Sequence, residues 1–190
     1  MSVFSGTNDL VVFEDNSPIY SPGMAGYRLA SFSNCRNYRY SLEIDLVDGS
    51  VEWPCINFVM LNPSTADAFK NDPTVERCCR RAIAGGYGRV IITNLFAYRS
   101  TDPSALIDVD DPEGPFNQLY LEIARCFCHT RVFGWGANVD KSPRLRLVSD
   151  RVSTPIGYAV NYCLGMTKSG HPRHPLYVPY SQGLVPYVKM

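Results

Sequence analysis

With 190 residues, 45% of them hydrophobic and 19% charged, the chain has the size and composition of one globular domain that can bury a core of its own. Its 18 Lys and Arg balance 18 Asp and Glu, which excludes a protein that coats nucleic acid by net charge alone. No stretch of about 18 apolar residues occurs, and Met1-Ser2-Val3-Phe4-Ser5-Gly6 lacks the basic start and apolar run of a signal peptide, so the expectation is no membrane span and a cytoplasmic location.

Residues 1–35 are rich in Ser, Asn, Gly and Pro without sustained periodicity, and they predict an irregular N-terminal arm with at most a short strand at Leu10-Val11-Val12-Phe13. Residues 36–190 are expected to form a single α/β domain. The segments Tyr38-Arg39-Tyr40-Ser41-Leu42-Glu43-Ile44 and Val51-Glu52-Trp53 flank Asp48-Gly49, a dipeptide favoured in tight turns, which predicts a hairpin at the start of the domain. In Ile56-Asn57-Phe58-Val59-Met60-Leu61 five of six residues are apolar, the pattern of a strand buried on both faces, and it stops abruptly in the polar turn Asn62-Pro63-Ser64-Thr65-Ala66-Asp67. Asp72 as N-cap, Pro73 at the first helical position and Glu76 near the positive end of the dipole open a helix that ends at Gly85-Gly86.

Val90-Ile91-Ile92-Thr93-Asn94-Leu95-Phe96 predicts a second strand of the same type, ending in Tyr98-Arg99-Ser100-Thr101-Asp102-Pro103. Strand, helix and strand over this length make a βαβ unit, whose crossover forces a parallel pair. A helix over 116–128, a short strand near Thr130-Arg131-Val132-Phe133 ending in Gly134-Trp135-Gly136, and a helix over 142–152 follow. Seven cysteines are an odd number in a chain without an export signal and predict reduced, mostly buried thiols. No metal is expected: Cys126-Phe127-Cys128-His129 falls on a predicted helix, where neighbouring side chains fan outward, and no second Cys pair stands at zinc-ribbon spacing.

Strands joined by right-handed crossovers point the same way, so the loops after 61, after 94–96, after 133 and the 167–177 segment gather on one edge, where α/β sheets bind ligands. There Asn62, Ser64, Thr65, Asp67, Asn94, Arg99, His171, Arg173 and His174 offer neutral donors and acceptors together with cations, which suits a flat polar ligand carrying phosphate. Asp67 is near enough to Asn62 in sequence to be a candidate general base. Residues 1–140 carry 11 Lys and Arg against 17 Asp and Glu, whereas 141–190 carry seven against Asp150 alone, so a polyanion would meet the last quarter of the chain. Lys168-Ser169 after Gly165 is not a phosphate loop, because the Walker spacing is absent.

Four separated motifs carry a resemblance. Leu61-Asn62-Pro63-Ser64-Thr65-Ala66-Asp67-Ala68, Asp72-Pro73-Thr74, Thr93-Asn94-Leu95-Phe96-Ala97-Tyr98-Arg99 and Thr167-Lys168-Ser169-Gly170-His171-Pro172-Arg173-His174-Pro175-Leu176-Tyr177 resemble, in order over about residues 38–177, the motif set of domain-of-unknown-function family 1643. More distantly, Met60-Leu61-Asn62-Pro63-Ser64 is similar to the Gly-Ile-Asn-Pro-Gly motif of the mismatch-specific branch of the uracil-DNA glycosylase superfamily. Ile92-Thr93-Asn94-Leu95-Phe96-Ala97-Tyr98-Arg99 with Pro103 resembles that superfamily's middle block, and His171-Pro172-Arg173-His174-Pro175-Leu176 approximates its last motif, His-Pro-Ser-Pro-Leu-Ser.

The second resemblance implies a three-layer α/β/α sandwich on a short, mainly parallel sheet, and hydrolysis of an N-glycosidic bond to a base in DNA or a nucleotide. It implies that Asn62 positions the attacking water, Asn94 reads the base edge, and His171 or His174 stabilises the departing base, with phosphates held by Arg173 and Lys168 and no cofactor required. Ser64-Thr65 stand where the mismatch-specific branch has Gly, and that bulk makes a non-catalytic module binding a nucleobase, nucleotide or modified DNA the alternative.

Overall fold

The computed structural model describes residues 2–6, 10–15, 27–47, 53–64, 72–154 and 160–189. Its strands are β1 (Ser2–Gly6), β2 (Leu10–Asp15), β3 (Tyr27–Ser33), β4 (Arg39–Asp45), β5 (Cys55–Met60), β6 (Arg89–Asn94), β7 (Thr130–Phe133), β8 (Val160–Cys163) and β9 (Val185–Pro186). Its helices are α1 (Pro73–Ala84), α2 (Ala105–Asp108), α3 (Asn117–Phe127) and α4 (Pro143–Ser153). The strongly periodic segments form where their patterns place them. In α1, Asp72 accepts from the Thr74 N–H at 2.7 Å, Pro73 occupies the first turn, and Val75, Cys78, Cys79 and Ala82 bury one stripe at helical spacing. Pro143 and the Ser142 cap, which accepts from the Arg144 N–H, start α4 in the same way.

Among the described residues the strands make one sheet in the order β1-β2-β3-β4-β6-β5-β7-β8-β9. The β6-β5, β5-β7 and β7-β8 pairs are parallel; all the others are antiparallel. The mixed α/β class therefore holds, but the sheet is mixed rather than mainly parallel, which corrects the expected sandwich on a mainly parallel sheet. The cause is the first 45 residues. β4 pairs antiparallel with β6 and so leaves its other edge of N–H and C=O groups to be paired; β3, β2 and β1 cover that edge in turn. Three strands thus stand where an irregular arm was expected. The expected hairpin partner at Val51-Glu52 and its turn at Asp48-Gly49 lie outside the described residues, and β4 finds its partners in β3 and β6 instead.

Apolar side chains on both faces of the parallel strands are covered. Phe58, Met60, Ile92 and Val132 pack with α1 through Val75, Cys78 and Cys79, while Val59, Leu61 and Phe133 pack with Leu121 of α3 and Leu145 and Val148 of α4. Arg77 and Arg81 of α1 donate to the carbonyls of Val178 and Gln182, which ties the C-terminal segment across this helix. Cys55 and Cys128 are joined as a disulfide with Cα atoms 4.9 Å apart, so the expected set of reduced thiols is corrected for this pair. Parallel pairing places the start of β5 beside the start of β7 (Ile56 opposite Thr130), which brings the two cysteines together. No helix among the described residues is long and apolar enough to cross a membrane.

Candidate functional site

The register of β5 on β6 sets Met60 opposite Asn94, so both strands end abreast. The chains stay tied just past their ends: the Leu95 N–H donates to Met60 O at 2.9 Å, Phe96 to Leu61 O at 3.0 Å, and Gly134 to Val59 O at 2.9 Å. Asn62 leaves this rim and donates through Nδ2 to Pro63 O (3.1 Å) and Ser100 O (2.8 Å), joining the loop after β5 to the loop after β6. Asn117, fully buried at the start of α3, donates to the carbonyls of Asn94 (3.1 Å) and Leu95 (2.9 Å) and holds the end of β6. The Asn94 side chain is 1% exposed, and its Nδ2 has no partner among the described residues.

His174 arrives from the C-terminal segment. Its Nδ1 accepts from the Leu176 N–H at 3.3 Å, so a neutral ring carries its proton on Nε2. Burial lowers its pKa below the ordinary imidazole value, and the charge of Asp72 opposes that only in part. Gly134 permits the approach: a Cβ there would lie 2.9 Å from Pro175 Cδ and 3.2 Å from Met60 Sδ.

Two cavities meet at Asn62 and His174. The inner one, about 210 Å³, is walled by Arg39, Asn62, Ser64, Asp72, Asn94 and His174, with Met60, Val75 and Ile92 supplying apolar surface. The outer one, about 410 Å³, is bordered by Leu61, Trp135, Asn138, Arg173 and Tyr177. Trp135 is 2% exposed and packs on Phe133 at 4.7 Å between ring centroids, so it is first a core residue.

Of the residues singled out in the sequence, Asn62, Ser64, Asn94 and His174 share the inner cavity, and Arg173 borders the outer one. His171 does not join them. Its Nε2 lies 2.9 Å from Asp140 Oδ1, in a separate surface cleft with Lys168, and this contact is the main cause of the lowered Asp140 pKa. Arg99 donates to Arg36 O at 2.9 Å and lies 5.1 Å from the Phe32 ring, bracing the turn between β3 and β4 and bordering neither cavity. Thr65 and Asp67 lie outside the described residues.

A family model described as a protein of unknown function (DUF1643) matches residues 39–176. The chain belongs to the DUF1643 family. The matched span takes in every residue bordering the inner cavity and all of those bordering the outer one except Tyr177. No curated protein and no solved structure matches the chain.

The residue of this DUF1643 chain that its sequence did not reveal is Arg39. Strict alternation along β4 would set Arg39 on the side opposite Leu42 and Ile44, but the register shifts at Ser31/Phe32 of the partner strand. Tyr40 then packs on Phe116 and Tyr120, on the α3 side, while Arg39 enters the cavity beside Thr74 and Val75 of α1. A bulge of this kind leaves no local trace in sequence. Burial brings the Arg39 pKa down to about 10, Asp72 countering and Arg99 adding to the effect, so the guanidinium remains a cation at neutral pH. Among the described residues no group of three or more His, Cys, Asp or Glu is placed to hold a metal ion.

Proposed function

We propose that the inner cavity receives a nucleobase and that the chain is a glycosylase-like hydrolase acting on a base in DNA or in a nucleotide. The observation that carries this is the meeting of Asn62, Asn94 and His174 around one cavity, with the Asn94 amide N–H unspent. The motifs Met60-Leu61-Asn62-Pro63-Ser64 and Ile92-Thr93-Asn94, similar in sequence to glycosylase motifs, stand at the ends of β5 and β6, in the part of the sheet where β6, β5, β7 and β8 run parallel with helices against both faces. At about 210 Å³ the cavity falls below the roughly 300–1,000 Å³ typical of drug-sized ligands, and it suits a ring rather than a whole nucleotide. Sugar and phosphate would occupy the outer cavity, where Arg173 supplies a cation.

Hydrolysis then proceeds with a water held at Asn62 Oδ1, whose amide hydrogens are committed to Pro63 and Ser100. The water oxygen bonds to C1′ as the C–N bond breaks, its electron pair goes to the base, and the water's proton leaves to the departing base or to solvent. Asn94 Nδ2 and His174 Nε2–H donate to the base oxygen as charge develops there. A panel of single- and double-stranded oligonucleotides and free nucleotides carrying uracil, mismatched and hypermodified bases tests this: free base should appear with the wild-type protein and be lost in Asn94→Ala. Folded protein that releases no base from any substrate would refute hydrolysis.

The second reading is a pocket that binds the same base without turnover. It is favoured by the Asn62 amide, which clamps two loops, and by Asp72, whose carboxylate is engaged at the α1 cap. Asn94-dependent binding without product would establish it.

A further inference from the structure

The inner cavity holds a cation with no acid among the described residues at contact distance to neutralise it. Arg39 is 5% exposed, and among the described residues its Nε has no hydrogen-bond partner and no ion pair involves it. Asp72 is the acid whose field reaches it, and the Asp72 carboxylate is engaged by the Thr74 N–H at the start of α1. A buried, unpaired guanidinium is costly to keep unless a ligand supplies the counter-charge. Arg28 and Arg131 also bury an unpartnered Nε, but neither borders the two cavities, and Arg131 lies over the Phe133 ring at 5.2 Å.

Two further features narrow the ligand. Asn94, 99% removed from solvent, borders the same cavity, and its Nδ2 has no hydrogen-bond partner among the described residues. Met60, Val75 and Ile92 line the same small space and would leave a bare tetrahedral anion against hydrocarbon, whereas a flat ring covers them.

We propose that Arg39 makes the inner cavity a seat for a planar heterocycle bearing one negative charge, with the Arg39 guanidinium joining Asn94 Nδ2 at the charged ring oxygen. This assignment rests on the base-pocket function proposed above and adds the class of ring: one that is anionic when bound, or that becomes anionic as it departs from a sugar. In hydrolysis Arg39 would be a catalytic residue, facing the electron pair that the broken C–N bond leaves on the base.

Calorimetric titration of the wild-type protein with barbiturate, uracil and inorganic phosphate at neutral pH tests the proposal. Barbiturate is a pyrimidine trione ionised at that pH, and uracil is its neutral counterpart of similar shape. Barbiturate is expected to bind about tenfold or more tightly than uracil, as a charge-assisted hydrogen bond requires. Arg39→Gln should erase that preference, and Arg39→Lys should keep part of it. Equal affinity for the two rings, or a preference that survives Arg39→Gln, overturns the proposal. Phosphate binding more tightly than barbiturate overturns the ring and assigns the charge to a phosphoryl group. Should Arg39→Gln fail to fold, the wild-type comparison of the three probes decides alone. Barbiturate preference without base release from any substrate would sink hydrolysis and leave the anionic-ring seat standing; base release with equal ring affinities would do the reverse.

Discussion

Replacing Arg39 by methionine should make the protein more stable while removing its affinity for an anionic ring. Methionine matches the length of the arginine stem and leaves no polar atom inside. The structure supplies the magnitude: burial brings the Arg39 pKa down to about 10, well below the ordinary guanidinium value. For a base whose folded pKa lies below its unfolded value, the penalty is fully present below the folded pKa and fades as pH rises above about 10 toward the ordinary guanidinium value. At neutral pH the whole penalty applies, about 3 kcal/mol at ~1.4 kcal/mol per pH unit. Exchanging a buried charge for a packed apolar side chain typically returns ~1–4 kcal/mol, and some of the gain is lost to imperfect packing, so a net of ~1–3 kcal/mol is expected. At ~2–4 °C per kcal/mol for a domain of this size, Arg39→Met should raise the melting temperature by roughly 2–12 °C. Differential scanning calorimetry of both proteins, with and without barbiturate, reads it out; barbiturate should raise the wild-type melting temperature and leave that of the variant unchanged. A variant that melts below the wild type would show that the guanidinium is already paired within the protein, and the case for an anion seat would fall with it.

Asn117→Ala removes the donor that satisfies the carbonyls of Asn94 and Leu95, and urea denaturation should show a loss of about 2–3 kcal/mol, with weaker ring binding because Asn94 is no longer held. Gly134→Ala puts a Cβ 2.9 Å from the Pro175 ring, and the overpacking should cost about 1–3 kcal/mol in the same assay. A Gly134→Ala protein of wild-type stability would mean that the His174-Pro175 segment yields freely. His174 has a folded pKa lowered by burial, so the unfolded chain binds its proton first and stability falls as pH drops below about 6.5 toward the folded value. His174→Gln should lessen the fall in melting temperature between pH 7.5 and 5.5 relative to wild type; an unchanged fall would place the titration elsewhere.

Several elements are legible in the amino-acid sequence through local chemistry. The Asp72-Pro73 cap and Gly85 bound α1, the apolar run 56–61 falls within one residue of β5, and β7 falls on Thr130–Phe133, because each is specified by side chains within a few residues of one another. The turn after β5 and the end of β6 stand out because apolar runs break there into hydrogen-bonding side chains, and the structure sets Asn62 and Asn94 around one cavity. The two histidines of the 171–174 segment look equivalent along the chain. Gly134 lets the Pro175 ring come close and so brings His174 inward, whereas His171 turns out to Asp140.

By itself, then, the sequence determined the mixed α/β class, the stretches that become the central strands and helices, and the polar strand ends where a ligand would sit, since periodicity, caps and turns act over short distances along the chain. Only the tertiary structure decided the rest. β1, β2 and β3 form because backbone groups on the edge of β4 need partners, and backbone pairing is nearly indifferent to side-chain pattern. Cys55 meets Cys128 because β5 and β7 lie side by side. Arg39 reaches the cavity because a register shift against β3 turns it there, and its unpaired charge acquires meaning only once the surrounding chain has excluded water from it.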